Sequence, residues 1–198
     1  KNDLVTELVN AKVEGKKLSC KQLFGLMSLI MSAGFSTTVQ MLNNGVILLS
    51  RRPQLIKQLA DDLSLVPAFV EELLRFNPSG SCTMRITTQP VVLAGIAIPE
   101  GEVVMALLAS ANRDPDRFSH PDKFDLHRPN PRRHMAFGYG IHSCVGAVLA
   151  RLELTVAFET LIENFTKFDC PKDEKLAWEK SFFVHGVSEL PTRFHQRC

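Results

Sequence analysis

Apolar residues recur at helical spacing through most of the chain and give way, in its middle, to short runs separated by turn residues. From Gln22 to Ser50 there is neither a charge nor a proline. The run opens on Ser19-Cys-Lys-Gln22, a capping-box pattern in which two side chains satisfy the free N–H groups at a helix start, so one helix of unusual length is predicted there. Its front half, Leu23 to Phe35, is apolar enough to raise a membrane span. The polar Ser36, Thr37, Thr38, Gln40, Asn43 and Asn44 that follow would be poorly tolerated against lipid, so the expectation is a helix buried through a protein core. Asn2 to Val13 reads as a short amphipathic helix ended by Gly15. After Pro53, Gln54 to Leu63 reads as another, and Pro67 in a first turn opens a third, Ala68 to Phe76, stopped by Asn77-Pro78.

The pattern then changes. Val91-Val-Leu93, Ile96-Ala-Ile98 and Val103-Val-Met105 are β-type runs punctuated by Gly95 and Pro99-Glu-Gly101, which predicts hairpins. Residues 112 to 131, rich in Pro, Asp, Arg and His, have little periodicity, and a stretch of that length is expected to be functional or tightly packed. A helix is predicted from Val145 to Asn164, and the tail from Lys167 onward returns as short strands. There is no internal repeat, low-complexity tract or linker, so residues 1–198 are expected to form a single domain.

Composition narrows the function classes. At 198 residues and 45% hydrophobic the chain can bury a sizeable core. A net charge of +2 with both signs interspersed gives no signal for nucleic acid. The five cysteines, Cys20, Cys82, Cys144, Cys170 and Cys198, are scattered, odd in number and without a CxxC pair, which suits a reducing, cytoplasmic setting. The charged start of the chain has no apolar signal-peptide core.

The chemistry concentrates in Ala136-Phe-Gly-Tyr-Gly-Ile-His-Ser-Cys-Val-Gly-Ala-Val-Leu-Ala-Arg151. Cys144 follows a glycine-rich loop and opens an apolar helical run, where free backbone N–H groups and the positive end of a helix dipole favour a thiolate. Gly138, Gly140 and Gly146 let the chain bend tightly and let the backbone approach a flat group. His142, two residues earlier, presents a donor to an anion on the same surface. No second Cys or His stands at zinc-like spacing, so a single axial thiolate beneath a planar cofactor fits better, and haem iron is the metal that uses one.

Phe137-Gly-x-Gly-x-His142-x-Cys144-x-Gly146-x-x-Leu149-Ala-Arg151 resembles the haem-thiolate signature of the cytochrome P450 family, in the form common among soluble bacterial members. The resemblance implies haem b with Cys144 as axial ligand and Phe137, Gly138 and Gly146 shaping the loop beneath it. It gives Glu72 and Arg75, an i,i+3 pair, a role as two members of a buried structural triad, with Arg128 in Phe124-Asp-Leu-His-Arg128 as the third. Arg85 matches an arginine that contacts a haem propionate, as His142 matches a histidine that does so. Ala33-Gly34-Phe-Ser36-Thr37 aligns with the family's Ala-Gly-x-acid-Thr segment, where a long helix crosses the distal face of the haem. Small Ala33 and Gly34 let the porphyrin approach, Thr37 is the alcohol of the proton-delivery pair, and Ser36 stands where the acid belongs.

The implied fold is mainly α with small β-sheets, the C-terminal half of the cytochrome P450 fold, and the resemblance covers essentially the whole chain. The implied activity is that of a monooxygenase inserting one atom of O2 into a small organic substrate. Its electrons come from a ferredoxin- or flavodoxin-type donor, for which Arg132 and Arg133 offer a basic patch. The alternative is a truncated or degenerate non-catalytic haem-binding module, suggested by Ser36 and by the N-terminal helices that the chain lacks. No nucleic acid or membrane partner is expected.

Overall fold

The computed structural model describes residues 3–197, so Asn2, where the first helix was expected to begin, and Cys198 lie outside the described residues. The chain divides into two compact units, 1–36 and 37–198, with the boundary inside a helix.

In the first unit, α1 (Leu4–Asn10) is capped by Asp3, whose Oδ1 accepts from the Thr6 N–H at 2.8 Å. The helix does not reach Val13 as expected. Glu14 and Gly15 both take left-handed φ, 51° and 78°, and turn the chain back so that β1 (Lys12–Val13) pairs antiparallel with β2 (Lys16–Lys17). α2 (Cys20–Arg51) begins on the expected capping box: Gln22 Oε1 accepts from Ser19 N at 2.9 Å, and Ser19 Oγ accepts from Gln22 N at 3.3 Å. The expected burial of this helix holds only for its back half. From Leu23 to Phe35 no residue is buried, and Phe24 and Phe35 are 73% and 77% exposed. Apolar periodicity reports a face that favours cover, not what covers it.

The second unit takes in the rest of α2, which is buried from Gln40 to Leu49 apart from half-buried Leu42 and Asn43. Gln40 and the Asn44 amide nitrogen find protein partners here, while the buried Asn44 Oδ1 has none among the described residues. Gln40 exchanges two hydrogen bonds with the Val187 backbone (2.9 and 3.1 Å), and Asn44 Nδ2 donates to Asn77 O and His185 O, each at 3.2 Å. α3 (Pro53–Asp61) and, after a 3-10 turn, α4 (Val66–Phe76) follow.

Next come β3 (Thr83–Ile86), β4 (Val91–Leu93), β5 (Ile96–Ile98) and β6 (Val103–Ala106). β4 and β5 form the expected hairpin, but β6 pairs antiparallel with β3, in register Arg85 to Val104. β3 went unseen in the sequence, which put Arg85 ahead of the first strand. Beyond the short α5 (Leu108–Ala111) the chain runs irregularly to α6 (Ala147–Asn164), and β7 (Phe165–Asp169) closes against β8 (Arg193–Gln196).

The core forms where α2, α4 and α6 meet. α6 buries Leu154, Phe158 and Ile162, one stripe at i, i+4 and i+8. Phe158 meets Phe69 of α4 edge-on at 5.0 Å, a favoured aromatic geometry. The helices cross closely because Gly45 of α2 has no side chain: a Cβ there would fall on the Phe158 ring and 2.9 Å from Leu73.

Candidate functional site

α4 carries two adjacent acidic residues, and both are buried. About 100° apart around the helix, they turn to different parts of the chain. Glu72 takes Arg75 in a two-pronged ion pair, Nε and one NH2 group each at 2.8 Å, and Arg128 Nε at 3.0 Å. The three side chains are 1%, 0% and 4% exposed. The guanidiniums spend their remaining donors on backbone: Arg75 on Asn112 O, Pro121 O and Lys123 O, and Arg128 on Ser119 O and Lys123 O. This set of bonds gives residues 112–128 their shape in place of regular structure, since buried carbonyls must find donors somewhere.

Glu71 faces the cysteine loop. Its carboxylate accepts from His134 Nε2 at 2.9 Å and from Arg151 Nε at 2.6 Å, with Arg132 alongside at 3.3 Å. Burial pushes the Glu71 carboxyl up, but the hydrogen bonds from His134 and Arg151 and the Arg151 charge outweigh it and hold it at about 2. The sequence reading missed Glu71 and His134 and gave Arg151 no role. Ala136 N donates to His134 Nδ1 at 3.2 Å, so Nδ1 is an acceptor and the imidazole proton on Nε2 faces the carboxylate. Met135 N, next in the chain, donates to the side chain of buried Asn112 at 2.6 Å.

The loop itself is closed by its own backbone. Gly138 and Gly140 adopt φ of 67° and 74°, and Gly138 N bonds Met135 O at 2.9 Å. Cys144 N then returns to Phe137 O at 2.9 Å, and Ala147 N to Cys144 O at 3.3 Å as α6 begins. No side chain caps that helix start, so its electropositive end is left to the loop. The Phe137 ring lies 4.6 Å from the Arg151 guanidinium. The Cys144 thiol is exposed, and a Cβ built at Gly146 would stand in ordinary contact with its sulfur, at 3.8 Å. Ile141 and Val145 are each 98% exposed, with His142 and Val148 exposed beside them. A thiol surrounded by bare aliphatic side chains fits a broad, apolar, metal-bearing cofactor, which would cover them as the sulfur binds.

Arg85 lies exposed on β3, where its guanidinium donates to Thr83 Oγ1 at 3.0 Å and Met84 O at 2.7 Å. Both acceptors are neutral, so its charge remains for a carboxylate. In the first unit, Ser36 Oγ donates back to Ser32 O at 3.2 Å, the local bond expected of a helix serine, and a Cβ at Gly34 would meet nothing within 4 Å. Ala33 and Ser36 are exposed, and Thr37, the first residue of the second unit, is half-buried. Structure thus brings Glu72, Arg75 and Arg128 into one cluster and Phe137, Gly138, His142, Cys144 and Gly146 into one loop.

An exposed thiol on a glycine-bent loop at a helix start, with a buried Glu-Arg-Arg cluster elsewhere in the same unit, suits a haem-thiolate type of protein. The model of the cytochrome P450 family matches residues 1–193, and the chain belongs to that family. It is 40% identical to cytochrome P450 107B1 of Saccharopolyspora erythraea over 97% of this chain and 48% of that protein. With the cytochrome P450 monooxygenase PikC of Streptomyces venezuelae it shares 37% identity over 98% of this chain and 47% of the relative. The solved structure of cytochrome P450 CYP109Q5 from Chondromyces apiculatus superposes with a TM-score of 0.92 at 38% identity, over 100% of this chain and 50% of that one. The chain therefore spans about half the length of the relatives it matches, and its helices and small sheets are the C-terminal half of their fold.

Proposed function

We propose that this chain is the haem-binding half of a bacterial-type monooxygenase that inserts one atom of O2 into a small organic substrate, with Cys144 as the axial ligand of haem b. The observation that carries this reading is the exposed Cys144 thiol within an apolar rim, on a loop closed by the Cys144 N to Phe137 O bond. When bound, the haem supplies the oxygen-activating redox chemistry, and a thiolate ligand favours O–O cleavage by its electron donation.

The chain's own residues bind, orient and move protons. Arg85 and His142 hold the two propionates, with the arginine's planar fork matched to a carboxylate. Phe137, Gly138 and Gly146 would shape the loop that holds the haem, and Ala33 and Gly34 would keep their stretch of α2 free of bulk. Thr37 and Ser36 hold the proton-delivering hydroxyls. Because Ser36 is not an acid, water or a substrate group relays part of that proton flow. Glu72, Arg75 and Arg128 are structural. Electrons come from a ferredoxin- or flavodoxin-type donor steered by exposed Arg132 and Arg133. PikC bears the name of a monooxygenase, which favours catalysis over a non-catalytic module. The setting is soluble and cytoplasmic, as the bacterial relatives favour, and residues 1–198 act as one part of a haem domain.

The test is spectroscopic. The haem-loaded protein, reduced under carbon monoxide, is expected to show the red-shifted Soret band of thiolate-ligated haem, and Cys144→Ala to lose it. An unchanged band in that variant overturns the ligand assignment.

A further inference from the structure

We propose that Glu71, through His134 and Arg151, is the positioning residue of the Cys144 loop, holding its entry and its exit in one register. The proposal rests on the reading of Cys144 as the axial ligand and adds to it the element that sets where the sulfur stands.

The geometry is that of a clamp. His134 lies just before the loop and Arg151 on the first turns of α6 just after it, and both donate to the same carboxylate, at 2.9 and 2.6 Å. The carboxylate side chain is 7% exposed, the histidine 1% and Arg151 25%, so the histidine bond is screened little by water and the arginine bond somewhat more. From His134 the order passes to Ala136 N, and from Arg151 to the Phe137 ring beneath its guanidinium. Phe137 is the residue whose carbonyl takes the Cys144 N–H. These two routes from Glu71 thus both end on the segment that carries the thiol, while its third partner, Arg132, is largely exposed. A displacement of a fraction of an ångström there changes metal–sulfur geometry directly, and groups behind a ligand are known to tune it for that reason. Glu72, one residue on, grips residues 112–128 instead and connects to the loop through Arg75, Asn112 and Met135.

Glu71→Ala, Glu71→Gln and His134→Ala are compared with Cys144→Ala in the haem-loaded protein, and their loop amides are followed by hydrogen exchange in the haem-free form. Glu71→Gln keeps the volume while removing the charge and one acceptor, so it carries the test should Glu71→Ala fail to fold. Exchange of the Cys144 amide is expected to speed up at least about tenfold in the Glu71 and His134 variants while β3 and β6 keep their rates. In the loaded protein the red-shifted fraction of the carbon monoxide complex is expected to fall at least about twofold, in favour of the band of a neutral or displaced thiol. Cys144 exchange and a red-shifted fraction at wild-type levels in Glu71→Gln and His134→Ala overturn the proposal. Retention of the band in Cys144→Ala overturns the ligand reading instead, and amide exchange in the haem-free form still decides the clamp.

Discussion

Glu71 and Glu72 show how little a residue's type says about its work. Both are buried carboxylates on one helix turn, yet one organises an irregular chain segment and the other the loop that bears the thiol. Glu71 also makes the protein acid-sensitive in a defined window. Its folded carboxyl is held at about 2 against an ordinary value of 4.5, so between those values the unfolded chain binds the proton and the folded chain does not. Stability from this group is fully present above about pH 4.5 and is lost as pH falls towards 2, a contribution on the order of 3 kcal/mol. Acid unfolding followed by circular dichroism is expected to flatten across that window in Glu71→Gln, and an unchanged acid limb would show that another carboxylate carries it. Glu72 and Arg75 were legible as a pair because i,i+3 spacing is local. Arg128 entered through the family resemblance, and Glu71 through neither, since its partners His134 and Arg151 stand 63 and 80 positions away with no periodicity linking them.

At the scale of elements, patterns were readable where they are local. The capping box at Ser19 and the β4–β5 hairpin follow from neighbours a few residues apart. β3 does not: Thr83-Met-Arg-Ile alternates over only four residues, too short a run to stand out, and its partner β6 lies beyond the intervening hairpin. Closing such a pairing depends on loop entropy and packing that no short window contains. The helix crossing at Gly45 was invisible for the same reason. A methyl group there has no free space, with Phe158 and Leu73 both in the way, so Gly45→Ala is expected to cost about 1–3 kcal/mol by overpacking, despite alanine's better helix propensity. Denaturant titration reads this, and a neutral or stabilised variant would mean that the aromatic cluster around Phe158 yields more than close packing allows.

For the whole molecule, apolar patterning indicates which surfaces favour cover without naming the cover. Leu23 to Phe35 has the composition of a buried or membrane helix, and α2 is long and apolar enough to span a membrane, yet in this chain that half is bare. Phe24, Met31 and Phe35 share one stripe, each more than 70% exposed, and Leu29 is exposed on another side. Relatives twice the length of this chain have further polypeptide with which to bury such a helix. Expressed alone, the 198 residues are therefore expected to self-associate at micromolar concentration and to bind a hydrophobic dye, because an apolar strip of that length in water favours any available cover. Phe24→Gln, Met31→Gln and Phe35→Gln together are expected to shift sedimentation towards monomer and to reduce dye binding, with the far-ultraviolet helix signal retained. The apolar residues around Cys144 remain bare in that variant, so part of the dye signal should persist until haem is added. If the unsubstituted chain sediments as a monomer without detergent and binds no dye, then α2 finds its cover within these 198 residues. If it partitions into vesicles and stays out of solution, the same strip is a lipid-facing surface and the soluble reading of this helix is wrong.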